Sequence, residues 1–183
     1  MLAVLVIVAV AVVLLVAAML LFNRLVRLRN EVNAGWSNID VQLKRRNDLI
    51  PNIVETVKGY AAHERGVFDE VTAARAAVSG AGSPAATAAA SDMLSGALGK
   101  LFAVAEAYPE LKASENFRQL QGELTDTEDK IAAARRYYNS VVQTYNTGIQ
   151  SFPALLFAGA LGFHAREFFA TGEAERATPQ VSF

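Results

Sequence analysis

The sequence predicts an all-α protein: one N-terminal transmembrane helix that continues into an antiparallel up-and-down bundle of about four long helices. Three observations predict it. The first 22 residues are apolar without exception. Beyond them, apolar residues recur at steps of three and four, with no alternating strand pattern. Five prolines (Pro51, Pro84, Pro109, Pro153 and Pro179) cut the body into stretches of helix length.

Met1 to Phe22 contains only Met, Leu, Ala, Val, Ile and Phe. At 1.5 Å per residue such a helix reaches roughly 33 Å, which matches a hydrocarbon core of about 30 Å. Valine-rich though it is, an isolated segment in lipid must satisfy its own backbone, so it reads as helix. A cleaved signal peptide is the alternative, and Val16 to Ala18 has the form of a cleavage site. Yet no basic residue precedes the run, and the run is too long for a signal core. Arg24, Arg27 and Arg29 follow it as a stop-transfer flank. By the positive-inside rule they put the body on the cytoplasmic side and the N-terminus outside.

The first body helix carries Leu25, Leu28, Val32, Trp36, Ile39 and Leu43, and continues from the membrane segment because no Gly or Pro intervenes before Gly35. Asp48 to Pro51 predicts a turn, with Asp48 as the N-cap of a second helix. That helix uses Ile53, Val54, Val57, Tyr60, Val67, Phe68, Val71 and Val78, and ends in the loop Ser79 to Pro84. A third helix uses Leu94, Ala97, Leu98, Leu101, Phe102, Ala105 and Tyr108 and is stopped or kinked by Pro109. Asn116 with Gln119 resembles a capping box opening the fourth. There Phe117, Leu120, Leu124, Thr127, Ile131, Ala134, Tyr138, Val141, Tyr145, Gly148 and Phe152 make a heptad seam, the pattern of bundles and coiled coils. The domain reading is therefore 1–22 anchor, 23–151 bundle, 152–170 apolar C-terminal segment and 171–183 mobile tail.

Composition narrows function. The 183 residues are 52% hydrophobic and 19% charged, which excludes intrinsic disorder. Without the anchor the apolar share falls to about 45%, ordinary for a soluble domain. A net charge of -1 argues against bulk-electrostatic binding of nucleic acid. No cysteine is present, so disulfides, thiolate metal sites and cysteine nucleophiles are excluded. With only His63 and His164, no histidine-rich metal site can be built. His63-Glu64 begins like a zincin motif, but Val67 stands where the second histidine belongs. No triad, phosphate loop or small-molecule site is evident, so the reading is a non-enzyme without a cofactor.

The stretch from Ala34-Gly35-Trp36 to Ile50-Pro51-Asn52 resembles the signature of the LemA family, and Val54 to Ala61 continues it. Tyr108-Pro109-Glu110-Leu111-Lys112-Ala113 with Asn116-Phe117 is similar to a second family block. Arg135-Arg136-Tyr137-Tyr138-Asn139, Tyr145-Asn146 and Phe152-Pro153 are similar to a third. The resemblance runs to about Phe169, and the Ala-rich stretch 81–90, which is not one of its blocks, reads as variable loop. It implies a bacterial membrane-anchored helical bundle with no established catalytic activity. Some members carry His where this chain has Asn47.

The remaining candidates concern interaction and packing. Lys44, Arg45 and Arg46 read as an exposed basic face that pairs with Asp40, Asp48 or a neighbouring protomer. Glu123, Asp126, Glu128 and Asp129 read as a solvated helix face. Trp36, Tyr137, Tyr138 and Tyr145 read as packing anchors. Asn139 and Asn146, seven apart, are placed to set register beside the seam. Phe152 to Phe163 is uncharged and too short to span a bilayer. Ala154, Ala158 and Gly162 predict a small-residue ridge that permits close helix contact. The stretch reads as buried against its own bundle or another protomer, ahead of dipping into the membrane interface. The expected function is a membrane-anchored scaffold that forms homo-oligomers and organises partners; the alternative is an accessory subunit of a membrane protease or sensor kinase.

Overall fold

The apolar run at the N-terminus has no residue that ends a helix, and none ends there. In the computed structural model, which describes residues 1–169, α1 is unbroken from Leu2 to Lys58 and holds Pro51 inside it. The predicted turn at Asp48–Pro51 is therefore absent. Proline lacks the N–H that would bond to the carbonyl of Asn47, four residues earlier. Arg75 supplies the missing donor, its Nε 3.0 Å from Asn47 O. The chain leaves the helix after Lys58, beside Gly59, the residue type that tolerates a helix end best. The predicted second helix is thus divided between the end of α1 and α2, Arg65–Gly80.

α3 spans Pro84–Glu106. Its start corrects the expectation of a variable loop over 81–90. Ser83 Oγ accepts from Ala86 N at 3.2 Å as the N-cap, Pro84 takes the first helical position, and alanines propagate the helix. Thr87, Ala88 and Ala90 are buried. Pro109 stops α3 as expected and opens the short α4, Pro109–Ala113. α5, Glu115–Gln150, begins ahead of the expected cap at Asn116, and Ser114 O accepts from Arg118 N at the join. Among the described residues every regular element is helical.

Burial on α5 departs from a heptad. Thr127, Tyr138 and Ile149 lie eleven apart, as do Ile131 and Val142, and Ala134 and Tyr145. A straight helix drifts by about 20° per heptad, so the buried face moves from Val141 to Val142 and from Gly148 to Ile149. α1 keeps sevens: Val32, Ile39, Arg46 and Ile53 form one buried row, and Leu43, Ile50 and Val57 a second.

The chain divides into two compact units. One holds Asn38–Arg136 and the described residues from Glu167. Its core is Ile50, Ile53 and Val57 of α1, Phe68 and Val71 of α2, Leu94 and Leu101 of α3, Leu111 of α4, and Phe117 and Leu124 of α5. The three residues between α2 and α3 turn the chain back, and Lys100 Nζ meets Glu70 Oε1 at 2.6 Å across that hairpin. The other unit holds Met1–Ser37 and Tyr137–Arg166. There α1 and α5 run antiparallel: Trp36 meets Tyr138, Gly35 meets Val141, and Leu28 meets Gly148. Residues 2–20 of α1 are exposed along their whole length.

Candidate functional site

The first candidate is a polar layer inside the core of the larger unit. Arg46 occupies the buried row of α1 between Ile39 and Ile53 and is 0% exposed. Its Nη1 donates to Glu128 Oε2 at 2.7 Å and Ser95 Oγ at 3.1 Å, and its Nη2 to Ser91 Oγ at 2.8 Å. The Ser95 hydroxyl lies 3.0 Å from Glu128 Oε1 and 3.1 Å from Ser91 O. A buried guanidinium is stable only with such charge-assisted bonds around it. The layer ties α1, α3 and α5 together. Beside it Arg45 faces Asp126 at 4.0 Å, and Lys130 Nζ lies 2.8 Å from the same carboxylate. The Lys130 hydrogen bond, helped by the charges of Lys130 and Arg45, holds Asp126 below its ordinary pKa.

Two expectations are corrected here. Arg46 is not part of an exposed basic face, and Arg45 and Arg46 reach Asp126 and Glu128 rather than Asp40 or Asp48. The acidic residues of α5 are likewise not all solvent-facing spectators. The reason is register: Arg46 lies seven residues from both Ile39 and Ile53, and that spacing was the available signal. Lys44 and Asp48 are exposed. Asn47, at the position where the family resemblance has His in some members, donates to Ser79 Oγ at 3.1 Å. Chemically the layer is a structural ion pair: the Ser95 hydroxyl faces a carboxylate already held by a guanidinium, and His63 lies exposed in the α1–α2 connection. Among the described residues no three His, Cys, Asp or Glu side chains group to hold a metal ion.

The second candidate is the fold-back after α5 in the smaller unit. Pro153 and two glycines keep residues 152–163 from forming an α-helix; only a 3-10 turn, Ala154–Leu156, forms. The predicted helical ridge of small residues is therefore absent. Ala154 and Ala158 are buried, but Gly162 is exposed with φ +77°, in the left-handed region that favours glycine. Phe163 is buried, its ring 5.6 Å from Phe22 and beneath the Arg29 guanidinium at 5.1 Å. Asn146 closes the fold-back: its Nδ2 donates to Arg166 O at 2.9 Å and its Oδ1 accepts from Arg166 N at 2.8 Å. That side chain serves as a clamp on main chain. Tyr145 is buried nearby; desolvation pushes its hydroxyl pKa up, against the charges of Arg166 and Arg29. Phe152, Leu155, Leu156 and Leu161 instead face outward, contrary to the expected burial against the chain's own bundle.

The other singled-out residues serve packing. The Trp36 and Tyr138 rings are 5.6 Å apart. Arg135 approaches Asp92 at 3.7 Å and lies over the Phe169 ring at 5.2 Å. Tyr108 and Pro109 form the α3–α4 junction, Arg136 is exposed, and Asn139 is half-buried. The expected tail at 171–183 lies outside the described residues.

Set against known proteins, residues 35–183 match the LemA family profile. The chain belongs to the LemA family. A relative called Protein LemA, from Metamycoplasma hominis, is 30% identical over 164 residues, covering 87% of this chain and 74% of the relative. Magnetosome protein MamQ of Magnetospirillum gryphiswaldense is 28% identical over 189 residues, 87% of this chain and 70% of MamQ. Magnetosome protein MamQ 2 of Paramagnetospirillum magneticum is 29% identical over 209 residues, 98% of this chain and 77% of that protein. The LemA match takes in the polar layer around Arg46 and the Asn146–Arg166 clamp.

Proposed function

We propose that this LemA-family chain is a non-enzymatic, membrane-anchored helical scaffold that self-associates and organises partners at a bacterial cell membrane. The observation that carries the reading is α1: an exposed, wholly apolar run of membrane-spanning length is continuous with the helix that lines the bundle core. One element serves as anchor and as structural member. The arginines at 24, 27 and 29 favour an N-terminus outside and a bundle in the cytoplasm. In the polar layer the Ser95 hydroxyl meets a Glu128 carboxylate whose charge the buried Arg46 already takes up, which makes it a poor base, and the names of the relatives denote no enzyme. Self-association draws support from large apolar side chains left exposed outside the anchor, Val41 and Tyr137. A net charge near zero sets up little repulsion between copies.

Two measurements test the anchor. Alkaline carbonate washing of membranes should leave the full chain in the pellet; release would defeat the reading. A cysteine introduced at exposed Met93 should resist membrane-impermeant maleimide in intact cells and react after lysis. Labelling of intact cells would reverse the orientation. Isolation of a lone protomer bound to one enzyme would favour an accessory subunit over a scaffold.

A further inference from the structure

We infer that residues 152–162 form a membrane-interface loop whose outward side chains, Phe152, Leu155, Leu156 and Leu161, enter the lipid at the boundary of the hydrocarbon core. The inference rests on the anchor reading and extends it to a second lipid contact. Three observations carry it.

The first is depth. A span of about 20 residues fills a hydrocarbon core, so the apolar run from Met1 reaches the boundary near Phe22, where the arginine flank begins. The fold-back is fixed at this level: Phe163 packs on Phe22, and Phe152 and Ala154 line a groove with Leu21, Arg24 and Leu25. The second is polarity. Phe152 is 81% exposed and Leu156 72%, with Leu155 and Leu161 also outward, and no charged residue falls between Gln150 and His164. Exposed aliphatic and aromatic side chains clustered in this way need a cover, and the lipid that covers residues 2–22 is continuous with them. The third is the way the loop is held. Its small residues, Ala154 and Ala158, turn inward, Phe163 inserts beneath Arg29, and Asn146 clamps the far end at Arg166. The large side chains are thereby held outward. Arg24 and Arg29 lie where their guanidinium groups can reach lipid phosphates while their stems stay with the apolar residues.

The test uses the full chain in vesicles of phosphatidylcholine and phosphatidylglycerol. Since the chain has no cysteine, Leu156→Cys, Val13→Cys and Met93→Cys each take a single NBD fluorophore. All three positions are exposed, so the label perturbs little packing. Lipids spin-labelled on the upper acyl chain should quench the position-156 probe several-fold more than the position-93 probe, and lipids labelled deep in the chain should quench position 13. Quenching at 13 without quenching at 156 overturns the inference and leaves the anchor standing. Disulfide formation between Leu156→Cys chains together with an unquenched probe also overturns it, assigning the face to a second copy. No quenching at 13 defeats the anchor reading and this inference with it.

Discussion

Arg75 Nε lies 3.0 Å from the carbonyl oxygen of Asn47, the acceptor that Pro51 leaves without its helical donor. This contact lets α1 pass through a proline and deliver Ile53, Val54 and Val57 to the core in register with Ile39, Leu43 and Ile50. Arg75→Ala should cost about 1 kcal/mol, the usual net contribution of a hydrogen bond, since this one is only part-buried. In a Pro51→Ala background the new N–H takes over Asn47 O, so the same change should cost clearly less. Denaturant unfolding of the four proteins gives the coupling, and equal costs in both backgrounds would refute the explanation.

The Arg46–Glu128 pair is asymmetric. Arg46 is fully buried, whereas the Glu128 side chain is 46% exposed. Glu128→Ala should therefore destabilise strongly, by roughly 3 kcal/mol, because it strands a charge that water cannot reach. Arg46→Met leaves a carboxylate that can rehydrate and puts an apolar side chain in an apolar row, so the loss should be about 1 kcal/mol or less. The prediction is the order of the two melting temperatures; the reverse order would contradict it.

Gly35 marks a close approach of α1 to α5. A Cβ there would lie 3.4 Å from Val141 Cγ2 and 3.5 Å from Tyr138 Cα, ordinary contact distances. Gly35→Ala should be neutral or stabilising by up to about 1 kcal/mol, since alanine is the better helix former. Gly35→Leu would drive further atoms into backbone and should destabilise by several times that margin. Thermal unfolding of both variants checks the contrast.

Tyr145 gives a pH dependence at the alkaline end. Its folded pKa is raised, chiefly by desolvation, above an unfolded value of about 10. Its contribution is fully present below the unfolded pKa and is lost as pH rises through the folded one. The melting temperature should hold from pH 8 toward 10 and fall beyond it, and Tyr145→Phe should make that fall shallower. An unaltered alkaline slope in the variant would show that Tyr145 is not a source of it.

Much of the fold was legible because it rests on local chemistry. Twenty-two apolar residues specify their own helix, and Pro84 and Pro109 stand at helix starts where their missing N–H is harmless. Pro51 misled because its compensation comes from Arg75 on another helix, a contact no local pattern encodes. The 81–90 stretch misled because it lies outside the blocks of the family resemblance, although Ser83 and Pro84 together spell a helix start and the alanines favour helix. Arg46 was legible in the sevens of α1 but was masked by the basic residues beside it. The fold-back was hardest: its uncharged run says that something must cover it, but the Asn146 clamp takes hold of main chain, which carries no side-chain signature.

The proposed scaffold is anchored in the membrane and self-associates. Its most direct measurement is the mass distribution of full-length protein extracted from membranes into polymer-bounded lipid discs, read by native mass spectrometry. A self-associating scaffold should give assemblies of several copies of this chain. A distribution confined to single protomers, alone or paired with one foreign enzyme, would contradict it.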